Sequence, residues 1–133
     1  MIVFSFSCMK VIFVLGFALM TSCAVMQSST ERKLTGEWRY TDKIQSCHYV
    51  FQDNGAFSGE VIYHRKLVSK FTGRWSVKDD VLLYHYTSDA LDRIPAGTMD
   101  RDQLLIVQKD FFVIQAANGS RRRYSRINEA ETH

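Results

Sequence analysis

Cysteine is scarce in this chain, with three among 133 residues and one of those inside an apolar leader, which excludes a disulfide-stapled scaffold. One proline and seven glycines exclude collagen-like repeats, and 46% hydrophobic with 13% aromatic residues excludes a disordered chain. Neither sign of charge dominates. A formal net charge of +3 gives no argument for nucleic acid as a partner. A long hydrophobic run is also missing: the continuous apolar stretch 11–20 is ten residues, where a bilayer span takes about 20. A transmembrane anchor is therefore the second reading of this segment. What remains after the leader is enough for one small domain with a core.

Residues 1–22 have the layout of an export signal: a short region ending in Lys10, the apolar run, then small polar residues. The run Leu19-Met20-Thr21-Ser22-Cys23-Ala24 resembles the lipobox of bacterial lipoproteins, with Met20 where leucine is usual. The resemblance implies that Cys23 takes a diacylglycerol, becomes the mature N-terminus and is acylated again, giving a membrane anchor of two or three chains. Ordinary cleavage after Ala24, at the small-x-small site Ser22-Cys23-Ala24, is the alternative and would release a soluble protein. By the same resemblance, the lack of aspartate at position 24 implies an outer-membrane lipoprotein facing the periplasm. Residues 23–33 then read as the lipidated cysteine and a polar tether without apolar periodicity, on the order of 17 Å long as a coil.

From 34 to 127 the dominant signal is alternation at period two, so the domain reads as all-β. Expected strands are 36–41, 46–52, 56–64, 67–77, 81–87, 103–108, 111–117 and 120–127, with a polar tail over 128–133. Asp53-Asn54-Gly55 and Asn118-Gly119 supply residues that accept positive φ, the strongest hairpin signals in the chain. The long joint 88–102, with Pro95, reads as either a further short strand or a flap. Alternation places Trp38, Tyr40, Cys47, Tyr49, Phe51, Phe57, Val61, Tyr63, Phe71 and Trp75 on one face. Glu37, Arg39, His48, Glu60, Lys70 and Arg74 fall on the other. An antiparallel up-and-down meander of about eight strands hides such a face and its own edges by closing into a barrel. A two-sheet sandwich is the competing solution.

Gly36-Glu37-Trp38 resembles the Gly-x-Trp opening of the first lipocalin strand, and Tyr124-Ser125-Arg126-Ile127 resembles the last strand of small bacterial lipocalin-like domains. The stretches 51–57 and 73–77 are similar to the lipoprotein branch of the same group. The resemblance implies a lipocalin-like barrel in which Arg126 packs across Trp38 at the closed end, a structural pair. The chain departs from the family in being short and in lacking its C-terminal helix pattern and disulfide. Gly-x-Trp also occurs a second time, at Gly73.

No nucleophile elbow, phosphate-binding glycine loop, zinc-protease motif or Cys-x-x-Cys is present, so neither an enzyme nor a cofactor is expected. His48, His64 and His85 fall on three strands and read as surface residues, with His48 opposite Glu60. Asp79, Asp80, Asp89, Asp92, Asp100 and Asp102 read as turn-forming and solubilising. Arg121-Arg122-Arg123 alternates between faces and forms no single patch, and Cys47 reads as a small buried hydrophobe. The inward rings either fill the barrel or line a pocket. On the second view the ligand-binding residues are Tyr40, Tyr49, Phe57, Tyr63, Phe71 and Trp75, and the ligand is a small apolar molecule or lipid. A filled barrel that engages or inhibits another envelope protein is the other functional reading.

Overall fold

The computed structural model describes residues 27–128. The expected leader, Cys23 and the end of the tail lie outside the described residues. A short helix, α1 (Ser29–Leu34), precedes eight strands: β1 (Gly36–Thr41), β2 (Gln45–Phe51), β3 (Ala56–Tyr63), β4 (Lys66–Lys78), β5 (Val81–Asp89), β6 (Met99–Val107), β7 (Phe111–Gln115) and β8 (Arg121–Arg126). Each strand pairs antiparallel with the next, and β8 returns to β1 to close the barrel. The expected meander and its closure are both present.

β4 shows why the sequence folds this way. Ser69, Phe71, Gly73 and Trp75 are buried while Lys70, Thr72, Arg74 and Ser76 are exposed, so one face is apolar and continuous with its neighbours. The inward rings pack at aromatic geometry: Phe112 stacks on Tyr124 at 4.9 Å and meets Trp38 edge-on at 4.8 Å. Such pairs contribute about 0.5–1.5 kcal/mol each beyond their buried area. Gly59 and Gly73 face inward among these rings. A Cβ on Gly59 would lie 2.6 Å from Phe71 and 2.7 Å from Tyr49, so the missing side chains leave the space those rings occupy.

The poles of the barrel differ. The closed end gathers α1 with the β2–β3, β4–β5 and β6–β7 turns, all tight. Asp79 and Asp80 both adopt positive φ, the two-residue hairpin conformation usually given to Asn-Gly. The open end carries the other connections, including a strap over 90–98. The expected joint of 88–102 is shorter in the fold because β5 runs to Asp89 and β6 begins at Met99, and the strap is a flap rather than a further strand.

The reading of 24–33 as an unstructured tether needs correction at its C-terminal end. Ser28 Oγ accepts from the Glu31 N–H at 3.1 Å and Glu31 Oε1 accepts from the Ser28 N–H at 2.8 Å, a complete capping box. Leu34 is fully buried and fastens the helix to the barrel. One apolar anchor in six residues leaves no periodicity to read.

The β1–β8 seam pairs only Trp38 with Arg126 and Arg39 with Ser125. Arg126 reinforces it from the side. Its guanidinium lies 4.2 Å from the Trp38 ring centre and donates to the carbonyls of Lys109 (2.7 Å), Thr35 (2.9 Å) and Lys33 (2.7 Å). Trp38 Nε1 donates to the Leu34 carbonyl at 2.8 Å, so this pair joins helix, first strand, last strand and the β6–β7 turn. Gly36, at φ +134°, has no Cβ because Arg126 Nη1 stands where it would be. The expected Trp38–Arg126 contact is therefore present and explains the Gly-x-Trp glycine.

Candidate functional site

Beneath the strap, at the open end, a cleft of about 600 Å³ is lined by Tyr49 from β2, Val61 and Tyr63 from β3, Val68, Ser69 and Phe71 from β4, Tyr86 from β5, and Arg93 and Ile94 from the strap. A β-bulge shapes one wall. Val61 pairs with Ser69 but Ile62 pairs with Leu67, so Val68 is the extra residue that strong local twist turns toward the cleft. The floor is aromatic: Tyr49 stands edge-on to Phe71 at 5.8 Å and stacks on Tyr124 at 5.3 Å, and Phe71 meets Tyr86 edge-on at 5.1 Å.

The strap is held by one buried carboxylate. Asp89 accepts from Ser69 Oγ at 2.6 Å and from the backbone N–H groups of Lys70 (3.1 Å), Leu91 (2.9 Å) and Ile94 (3.2 Å). Burial pushes this carboxyl up, but the four donors together outweigh it and hold it below its ordinary value. Ser69 and Ile94 themselves line the cleft, so Asp89 fixes two of its walls. A second carboxylate, the half-buried Asp102, accepts from the Tyr84 hydroxyl at 2.9 Å, and partial burial holds it above the ordinary value. The reading of these two aspartates as solvated turn residues is corrected. The alternation within β6 and the sharp end of β5 turn them inward.

Burial, followed for Tyr86 by the nearby Asp100 and Asp102 carboxylates, raises the hydroxyls of Tyr49 and Tyr86, so both remain protonated donors. On the β1–β8 side, Arg122 lies 5.2 Å from the Tyr40 ring centre, close to buried Cys47, whose thiol burial pushes up. A thiol so placed is a packing group rather than a nucleophile. Arg122 points inward while Arg121 and Arg123 are exposed, as alternation along β8 requires.

The structure brings Tyr49, Tyr63 and Phe71 together in the cleft and leaves the other three sequence-chosen residues elsewhere. Phe57 is buried below the floor among Phe71, Tyr84 and Tyr86. Trp75 lies in the closed half, its Nε1 donating to the Gln52 carbonyl at 2.9 Å. Tyr40 sits across the barrel with its hydroxyl on Asp42 at 2.7 Å. Val61, expected on the inward face but not at the site, and Val68, Ser69, Tyr86, Arg93 and Ile94 also line the cleft. Alternation through β5 places Tyr86 inward with Leu82 and Tyr84, whereas the bulge and the strap leave no periodic signal. His48 does pair in register with Glu60, yet its ring meets Glu37 of β1 at 3.2 Å and Glu60 turns to Lys70 at 3.8 Å.

No protein-family model and no curated protein matches the sequence. Solved structures that resemble the fold include two from one organism. A crystal structure of a lipocalin-like protein from Bacteroides uniformis superposes with a TM-score of 0.54 at 18% identity, covering 71% of this chain and 99% of that one. An NMR structure of a protein from the same organism gives 0.50 at 14% identity, covering 74% and 93%. The likeness is one of fold, a small lipocalin-like barrel.

Proposed function

We propose that this protein is a binding module of a bacterial envelope, a lipoprotein whose lipocalin-like barrel takes a small apolar or amphipathic ligand in the open-end cleft. The observation that carries the reading is the cleft itself, about 600 Å³ walled mainly by rings and aliphatic side chains. A site of this size and character is what a lipid-sized ligand requires, and each Å² of apolar surface removed from water contributes about 25 cal/mol. Tyr49, Tyr86, Ser69 and Arg93 add a few polar groups to the wall, enough to orient a head group. The proposal is of a binder, not a catalyst, because the groups that face the cleft offer contact and hydrogen bonds rather than a nucleophile with its base. The anchor and the outer-membrane address rest on the Leu19–Ala24 run alone, and mass spectrometry of the mature N-terminus tests them: acylated Cys23 supports the reading, and a chain starting at Val25 removes it.

Titration with a fluorescent fatty acid tests the binding reading. Saturable enhancement that Ile94→Asp abolishes, without loss of the folded near-ultraviolet spectrum, is the expected result. A specific observation favours a second reading. Ile44, Ile62, Tyr63, Leu67 and Leu91 are each 37–46% exposed at the open end, an apolar rim suited to another envelope protein. Failure to bind any amphiphile, with no lipid recovered on extraction, would transfer the function to that rim.

A further inference from the structure

At the pole opposite the ligand cleft, a second depression of about 490 Å³ lies between the last turn of α1, the β6–β7 turn and the end of β8. Its wall holds Arg32, Lys33, Lys109 and Arg126, four basic residues from three separate segments, with Thr35, Val107 and Gln108 between them and, among the described residues, no carboxylate. The acid of α1 is committed elsewhere: Glu31 Oε1 accepts from Ser28 N and Oε2 from Val77 N at 3.0 Å. Asp110, the carboxylate that acts on Arg126, is not part of the wall. One of the cations is already immobilised. Arg126 spends three of its five N–H donors on carbonyls, which fixes its plane and neutralises the exposed carbonyls of the helix end, leaving two donors.

We propose that this depression is a seat for the phosphate of an anionic phospholipid head group, so that the closed end of the barrel rests on the membrane and the ligand cleft faces away from it. Four basic residues around a depression whose wall, among the described residues, holds no carboxylate suit a singly charged phosphodiester. Each basic residue held near an anionic surface raises affinity about fivefold. The position of the chain start agrees. Ser28 begins the capping box on this same end, and Cys23 precedes it by five residues, at most about 18 Å of extended chain. For orientation the inference rests on the anchor proposed above, whereas the charge of the seat does not.

The test reconstitutes the full chain in lipid discs of phosphatidylcholine alone or of equal parts phosphatidylcholine and phosphatidylglycerol, with a gadolinium chelate on a fraction of the head groups. The readout is paramagnetic broadening of the Trp38 indole N–H and Lys109 amide at the closed end against the Tyr63 and Gly97 amides at the open end. Glu129→Gln and Glu131→Gln are present throughout, so that tail charge is constant. The expected result is selective broadening of the closed end that appears with phosphatidylglycerol and that Arg32→Glu with Lys109→Glu reduces at least tenfold. Equal polarity in both kinds of disc means that the tether alone orients the domain and overturns the proposal, as does broadening of the open end. Displacement by inorganic phosphate at equal concentration overturns it in favour of a small-anion site. An unacylated Cys23 together with phosphatidylglycerol-dependent polarity would remove the anchor and leave the seat standing.

Discussion

The two poles of this barrel are made from the same alternating strands and do opposite things. At the closed end both indoles and two of the guanidiniums are committed to main-chain carbonyls. The Trp38 and Trp75 indoles donate to Leu34 and Gln52 carbonyls, Arg126 spans three carbonyls, and Arg74 donates to Asn54 at 2.9 Å with its Nη2 2.6 Å from where a Gly55 Cβ would stand. Each Gly–Arg pair replaces a side chain with a guanidinium. At the open end large apolar side chains remain part-exposed around an open cleft. Stability is concentrated at one pole and unsatisfied surface at the other, the arrangement that lets a small domain expose a binding site without losing its fold.

The largest test of this division is Trp38→Ala. Deleting a fully buried indole should cost about 3–5 kcal/mol. At roughly 4–8 °C per kcal/mol for a domain of this size, the thermal midpoint should fall by at least about 12 °C. Tyr63→Ala, at 44% exposure on the open rim, should cost less than about 1 kcal/mol. Equal losses from the two variants would erase the distinction between the poles.

Next in size is Gly73→Ala. Its Cβ would collide with the His85 carbonyl, a main-chain atom, and lie 2.6 Å from Phe57, so β4 and β5 must separate to admit it. Overpacking of this kind costs about 1–3 kcal/mol, measurable by urea denaturation. An unchanged midpoint would mean that the aromatic floor is looser than its geometry.

Much of the barrel was legible because a one-sided sheet writes its facing into the sequence. β1 has the expected bounds, and most other strands differ by a residue or two at each end. β6 is the exception: it starts at Met99, where the mixed run Asp100-Arg101-Asp102 hides the alternation behind charge. Trp38 and Arg126 were expected to meet because two short runs, Gly36-Glu37-Trp38 and Tyr124-Ser125-Arg126-Ile127, resemble the first and last strands of lipocalin-like domains. The cleft was half legible for a physical reason. Tyr49 and Phe71 follow from alternation, whereas Val68 comes inward through a bulge and Arg93 and Ile94 through a strap pinned by Asp89, and neither event has a period. α1 was missed altogether, because the capping pair Ser28 and Glu31 is hidden in a polar run read as tether.

A smaller and local effect is expected at Asp89. Its folded carboxyl lies below the unfolded value of about 3.9, so its stabilisation is complete above that pH and is lost as pH falls through the folded value. Asp102, raised by burial, runs the other way, and a global melt would mix the two. The Leu91 and Ile94 amides report Asp89 alone, since both donate to it. Their resonances should hold steady from neutral pH to about pH 4 and move only below it. In Asp89→Asn they should already be displaced at neutral pH and stay flat through the same range, with weakened fatty-acid binding because Ile94 and Ser69 are wall residues.

The smallest change in stability, and the sharpest statement about the open end, belongs to Tyr86→Phe. The ring is held by Phe71 at 5.1 Å and Phe57 at 5.5 Å, and both contacts survive loss of the hydroxyl. Stability should therefore shift by less than about 1 kcal/mol. Affinity should respond more. A hydroxyl that burial keeps protonated donates to a ligand's oxygen, and losing one such bond, net about 0.5–1.5 kcal/mol, weakens binding about two- to twelvefold in the fluorescent fatty-acid titration. Tyr84→Phe is the contrast: its hydroxyl already serves Asp102, so removing it strips a half-buried carboxylate of its donor and should cost stability rather than affinity. If Tyr86→Phe leaves affinity unchanged while Ile94→Asp abolishes it, the cleft reads only the apolar part of its ligand, and the head group lies outside among the rim residues beside Arg93.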